Sequence, residues 1–204
     1  MAVIKSGAST DNLTIGVTNK AARVQLYDAL GNDRGAKATY RAATVNQVVA
    51  AAGTVPFLTI AGSGSKTLII QRITISGMNL TAVAYVGIEV RKYSTASSGG
   101  TAVALVAVPL DSTSSASSAT RLNVYTAAPT AGTLVGTVAC QRTMGQATTA
   151  AAGGIPEVLT FDFRNVGEST GIYLRGTAQE IGVAFGAAPG SAITLSCDVE
   201  WTEE

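Results

Sequence analysis

The sequence contains no histidine. The side chain that most often serves as general base and as metal ligand is therefore missing. A Ser-His-Asp or Cys-His relay has no base, and the G-x-S-x-G elbow of serine hydrolases does not occur. Cysteine is limited to Cys140 and Cys197, each in an apolar run, with no C-x-x-C spacing. Two thiols without histidine do not complete a standard zinc site. They read as buried free thiols, with a disulfide as the alternative if their strands are neighbours. Charged residues make up 13% of the chain, about half the usual share. The net charge is +1 and the basic residues are scattered, which excludes the basic stripe of a nucleic-acid binder. The acidic cluster of a calcium loop is absent. Aromatic residues are too few and dispersed to form a stacking platform. No apolar stretch reaches the length that spans a bilayer, and no apolar segment follows Lys5 as a signal peptide requires. The expectation is a protein made in a cytoplasm, with no cofactor, no metal, no nucleic-acid partner and no membrane partner.

What the chain does contain is alternation. Leu159-Thr160-Phe161-Asp162-Phe163-Arg164, Ile181-Gly182-Val183-Ala184-Phe185 and Ile193-Thr194-Leu195-Ser196-Cys197-Asp198-Val199-Glu200-Trp201 place large apolar residues at every second position. Successive side chains of a strand point to opposite faces, so this period of two predicts half-buried antiparallel strands. Phe161, Phe163, Phe185 and Trp201 fall on the apolar phase and are candidate core. Strands are predicted near 55–60, 67–76, 81–92, 101–108, 121–126, 133–142, 157–164, 171–176, 179–186 and 191–201. Glycine-, serine- and proline-rich breaks separate them. Residues 44–52 fit helical spacing, but their β-branched run favours an extended form. Many short strands without a helix of normal length predict an all-β antiparallel β-sandwich of jelly-roll type. Residues 55–204 form its body, and residues 1–54 form an extended N-terminal arm with a small β extension. Composition suggests three flexible loops, at 94–100, 111–120 and 144–154.

Two motifs invite a chemical reading. Ala61-Gly62-Ser63-Gly64-Ser65-Lys66-Thr67 resembles a phosphate loop, but Ser65 stands where glycine is required before the lysine. The residues that follow read as a strand and not as the helix such a loop needs, so a tight turn is expected. Asp162 with Asp198 or Glu200 is the one carboxylate set that adjoining strands could bring together for glycoside hydrolysis. Strand-face acids are more commonly paired or solvated, and Arg164 is a local partner for Asp162. Glu203 and Glu204 read as a solubilising end.

Five stretches carry a family likeness: residues 22–32 (ARVQLYDALGN), 67–77 (TLIIQRITISG), 106–111 (VAVPLD), 123–132 (NVYTAAPTAG) and 198–204 (DVEWTEE). Together they resemble small structural proteins of tailed bacteriophages, over most of the chain. That resemblance implies a jelly-roll body, often a homotrimer, with an N-terminal arm. It also implies a non-enzymatic role as a capsid decoration, or cement, protein on the virion exterior. The partners would be the major capsid protein or other virion proteins. The alternative role is a tail, collar or head-fibre component that binds the host. In either role the arm makes the attachment, and Leu13, Ile15, Val24, Leu26 and Tyr27 are the candidate interface residues.

Overall fold

The computed structural model describes residues 3–5, 12–14, 37–80, 84–147, 157–164, 171–190 and 192–204. The chain divides into two compact units, Met1–Lys37 and Ala38–Glu204. In the first, β1 (Val3–Lys5) pairs antiparallel with β2 (Asn12–Thr14), with Ile4 opposite Leu13. The boundary thus falls at residue 37 and not near 54. Residues 38–54, expected in the arm, belong to the body because β3 (Ala38–Val49) is a full member of its sheet. The β-branched run that made 44–52 ambiguous is extended through Val49.

The body is an all-β sandwich of two antiparallel sheets, with no helix among the described residues. Its remaining strands are β4 (Pro56–Ala61), β5 (Leu68–Leu80), β6 (Ala84–Tyr93), β7 (Thr101–Ala104), β8 (Val108–Pro109), β9 (Arg121–Ala127), β10 (Leu134–Ala147), β11 (Val158–Asp162), β12 (Ile172–Leu174), β13 (Glu180–Phe185) and β14 (Ile193–Glu203). The first sheet runs β8-β3-β14-β5, with β11 and β12 on the far edge of β5. The second runs β7-β9-β4-β13-β6-β10. The pairs β3·β14, β4·β13, β5·β12 and β6·β10 are the rungs of one long hairpin rolled up so that successive rungs alternate between the sheets. This is the jelly-roll connection. Strands β7, β8 and β9 are inserted between β6 and β10, and they extend both sheets along one side of the sandwich. On the other side, Gln146 and Ala147 of β10 cross over to pair in parallel with Asn79 and Leu80 of β5.

The closing ladder forms strand β14, where inward and outward residues alternate without exception. Ile193, Leu195, Cys197, Val199 and Trp201 point into the core; Thr194, Ser196, Asp198, Glu200 and Thr202 point out. Trp201 is fully buried and stacks on its cross-strand partner Tyr40, ring centres 5.8 Å apart. Phe57 and Phe185 stack at 4.6 Å at the facing sheet's contribution to the same core. Such aromatic pairs add about 0.5–1.5 kcal/mol beyond the area they bury. Phe161 is buried as expected, and Phe163 packs on the core only partly. Strand β5 changes phase midway: Leu68 and Ile70, then Ile73 and Ile75, join the core cluster, and Ile69 is buried as well. A register shift against β14 between Glu200 and Trp201 inserts the extra residue and restores the apolar face.

Between β3 and β4 the chain leaves one sheet for the other, and Thr54 makes the corner with φ at 66°. A β-branched side chain in this left-handed region is strained by about 1–2 kcal/mol. Two bonds hold it there: its N–H donates to the Phe185 carbonyl at 2.8 Å, and its carbonyl accepts from Arg91 Nη1 at 2.5 Å. Replacing Thr54 by glycine keeps both backbone bonds and relieves the strain. Thr54→Gly is expected to raise the unfolding free energy by roughly 1 kcal/mol, read by urea denaturation, whereas Thr54→Val gives no gain.

Candidate interaction surface

Period two does not stop at Trp201. Continued two residues further, it sends Glu203 inward, where its side chain is buried. The carboxylate is satisfied by the serine tract. Oε1 accepts from Ser117 Oγ at 2.6 Å, from the Ser118 N–H at 3.0 Å and from Trp201 Nε1 at 3.1 Å. Oε2 accepts from Ser118 Oγ at 2.8 Å, and Lys66 Nζ lies 3.5 Å away. Tyr40 Oη donates to the Ser115 carbonyl and Thr120 Oγ1 to that of Gly62. Residues 111–120 are therefore pinned across the end of the sandwich and are not the flexible loop expected from composition. Glu203 is an anchor and not a solubilising end. Burial pushes its carboxyl upward, but the bonds from Ser117, Ser118 and Trp201 outweigh that and hold it below the ordinary value of 4.5.

The second serine-rich loop is tied in the same manner. Glu180, at the start of β13, is fully buried, and its Oε1 accepts from the Ser97 hydroxyl at 2.6 Å and the Ser97 N–H at 3.1 Å. Arg121 donates to the Ser97 carbonyl and stands 3.7 Å from Glu180 Oε2, which has no hydrogen-bond partner. Burial raises this carboxyl above its ordinary value, and Ser97 and Arg121 offset that only in part. The turn is closed at Gly100, whose φ is +71° and where a side chain would strike the Ala127 carbonyl and Pro129. The third expected loop, 144–154, is strand as far as Ala147, and the rest lies outside the described residues.

With those loops fixed, two apolar edges stand out. The first is a groove of about 540 Å³ on the side of the inserted strands. Val103, Val106, Val108 and Leu110 line it and are exposed; Arg41, Ala43 and Thr44 of β3 form its other wall. Val106 is the most open at 78%. Val45 and Val48, further along β3, are exposed too. The second edge lies across the sandwich, on β10 and its neighbours, where Leu134, Val135, Val138, Val158 and Tyr85 are exposed. Large apolar residues exposed together along one edge mark an interaction site more often than a solvated surface. No sequence expectation named these residues. The signal was the uninterrupted apolar run 102–110, which lacks the polar phase of a half-buried strand.

The residues singled out from sequence are placed differently. Leu13 sits in β2 opposite Ile4; Ile15, Val24, Leu26 and Tyr27 lie outside the described residues. The carboxylates form a ladder of ion pairs. Asp162, Arg72, Glu200 and Arg41 occupy one cross-strand row on β11, β5, β14 and β3, acid alternating with base. Arg72 Nη2 meets Glu200 Oε2 at 2.7 Å, Arg164 Nη2 meets Asp162 Oδ2 at 2.5 Å, and Arg41 pairs with Asp198. Hydrogen bonds from the Arg164 side chain and N–H hold the Asp162 carboxyl at about 2. It stays ionised where a glycosidic acid must keep its proton. The phosphate-loop look-alike is a turn in which Ser63 Oγ accepts from the N–H groups of Ser65 and Lys66, and strand β5 follows it. Both thiols are free. Cys197 is buried and pushed up to about 12 by its desolvation, whereas Cys140 is exposed on β10 instead of buried as expected. Among the described residues no three or more acidic or thiol groups gather as a metal site.

No protein-family model matches this sequence, and no curated protein or solved structure is significantly similar to it. The surface itself offers contact area, main-chain edges and pinned loops.

Glu203 and Glu180 respond oppositely to pH. Glu203, with its folded value lowered, stabilises above its unfolded value near 4.5 and loses that contribution as pH falls through the folded value. Glu180, with its folded value raised, favours folding below 4.5 and loses that contribution as pH rises through the folded value. Glu203→Gln is therefore expected to lose roughly 1–3 kcal/mol at pH 7 and much less at pH 3. Glu180→Gln is expected to be neutral or stabilising at pH 7. Urea unfolding of each variant at the two pH values measures both.

Proposed function

We propose that this chain is a non-enzymatic structural protein of a tailed-bacteriophage virion, a decoration protein that binds the capsid exterior and stabilises the head lattice. The observation that carries the reading is the pair of exposed apolar edges on a body with little charge. A shell strained by packed DNA is held by added contact area between neighbours, and that requires apolar and main-chain complementarity and not a reactive group. The jelly-roll body and the family likeness of five sequence stretches support the same reading. The protein acts as a homotrimer on the major capsid protein and is made in the host cytoplasm before it joins the particle. The N-terminal unit makes the attachment, with Leu13, Ile15, Val24, Leu26 and Tyr27 as its contact residues. Several arms presented by one oligomer bind far more tightly than one, because each binding event after the first is intramolecular.

Removing residues 1–20 is expected to abolish binding to undecorated heads in a co-sedimentation assay. The truncated body is expected to keep the wild-type unfolding midpoint, since the body begins at Ala38. Full binding by the truncated protein would contradict the attachment role.

A further inference from the structure

The two ends of the second sheet are unusual edge strands. Among the described residues, β7 and β10 each pair on one side only along most of their length. All four residues of β7 are exposed. On β10, Leu134, Val135, Thr137 and Val138 are exposed, and Val135 and Val138 are the extra residues of two bulges in the pairing with β6. Edge strands are normally kept from pairing by charge, proline, short length or bulges. Residues 101–104 (TAVA) and 134–140 (LVGTVAC) carry no charge and no proline; β7 is short and β10 is bulged twice, so what these edges offer a partner is chiefly apolar side chains.

We propose that copies of this chain associate edge to edge, β10 of one lying along β7 and the 103–110 segment of the next, in a closed ring. The exposed large apolar residues divide between these two sides: Val45, Val48, Val103, Val106, Val108 and Leu110 on one, Tyr85, Leu134, Val135, Val138 and Val158 on the other. The two surfaces are unlike. One is a concave groove of about 540 Å³; the other is an uncovered strand. Unlike surfaces on opposite sides of one subunit define a head-to-tail contact, which closes into a ring if the rotation permits and otherwise runs on as a filament. The size is adequate. Ten residues of β10 between 134 and 145 pair with β6, and a strand of that length spans about 33 Å. Two layers about 10 Å apart, with their side chains, make an edge about 20 Å deep, which gives about 650 Å² per partner and about 1,300 Å² in all. Stable interfaces begin at about 1,200 Å² in all. The partner for each edge is thus a second copy, the apolar residues of one edge being buried against those of the next subunit. This deepens the homotrimer of the reading above by naming its surfaces.

The test uses the full chain and two variants, Val106→Glu in the groove and Val138→Glu on β10, with mass measured by light scattering after gel filtration. Both sites are exposed, and circular dichroism checks that each variant is folded. The wild type is expected to be a closed trimer, and each variant alone a monomer, a threefold drop in mass. A one-to-one mixture is expected to form a heterodimer, because the first variant keeps its β10 and the second keeps its groove. A monomeric wild type, a variant that retains the wild-type mass, or a mixture that stays monomeric at the concentration where the wild type assembles overturns the proposal. Particle binding is not read in this assay. A monomeric wild type would therefore sink the ring together with the homotrimer and leave attachment to the head through the N-terminal unit standing, and failure of head binding by an intact trimer would do the reverse.

Discussion

Strand β14 lies between β3 and β5, and the body depends on that position. It pairs on both edges, with Trp201 opposite Tyr40 on one side and Ile70 on the other. Its inward residues supply the middle of the core, and its outward residues supply Asp198 and Glu200, which pair with Arg41 and Arg72. The rolled hairpin is also completed there, because β3 and β14 are its first and last legs. The pairing is long-range and forms only when the two ends of the body meet, so folding is slowed by loop closure. A one-residue slip of β14 would expose Trp201 and bury Asp198 and Glu200, and that penalty fixes the register.

Register then determines the loops. Once β14 is in place, Glu203 points inward, and a buried carboxylate without partners would be costly. The serines of 117–118 remove that cost and are ordered in exchange. Glu180 does the same for Ser97. Small hydroxyl residues suit this task because they bring a donor close to the backbone without filling space. Two stretches that resemble linkers are therefore rigid, and their rigidity gives the groove beside them a fixed shape. In the acid–base row on the outer face, the Arg164–Asp162 pair at the edge is exposed and adds little stability, whereas Arg72–Glu200 is half-buried.

Much of this architecture was legible in the sequence. Each described strand from β4 to β14 falls on a predicted interval, because periodicity and turn residues are local signals; the two-residue β8 was merged with β7. The extended form of β3 was legible from its β-branched run, but its membership in the body was not, since strand partners more than a hundred residues away leave no local mark. Glu203 is less legible for a simpler reason: an acid two residues past Trp201, next to Glu204, has the look of a solvated chain end. One more step of the same period places it. The serine loops were misjudged because composition records the flexibility of the free chain and not the acceptor that binds it. Cys140 lies in a strand as its apolar run implies, and the predicted strand 101–108 is two short strands, β7 and β8, with 105–107 between them; whether an apolar strand is covered depends on the neighbouring layer. The ordinary assumption of burial hid the surface that now draws most interest.

An all-β body with exposed apolar edges, fixed loops and acids locked in ion pairs is suited to holding neighbours. The central claim is that this holding takes place on the outside of a phage head. Electron cryomicroscopy of intact particles, with the body fitted to the density, tests it most directly. The account predicts a jelly-roll density repeated over the head lattice, on its outer surface, at contacts between capsid subunits. Density confined to the tail or to a single vertex, or heads that lack the protein altogether, would contradict it.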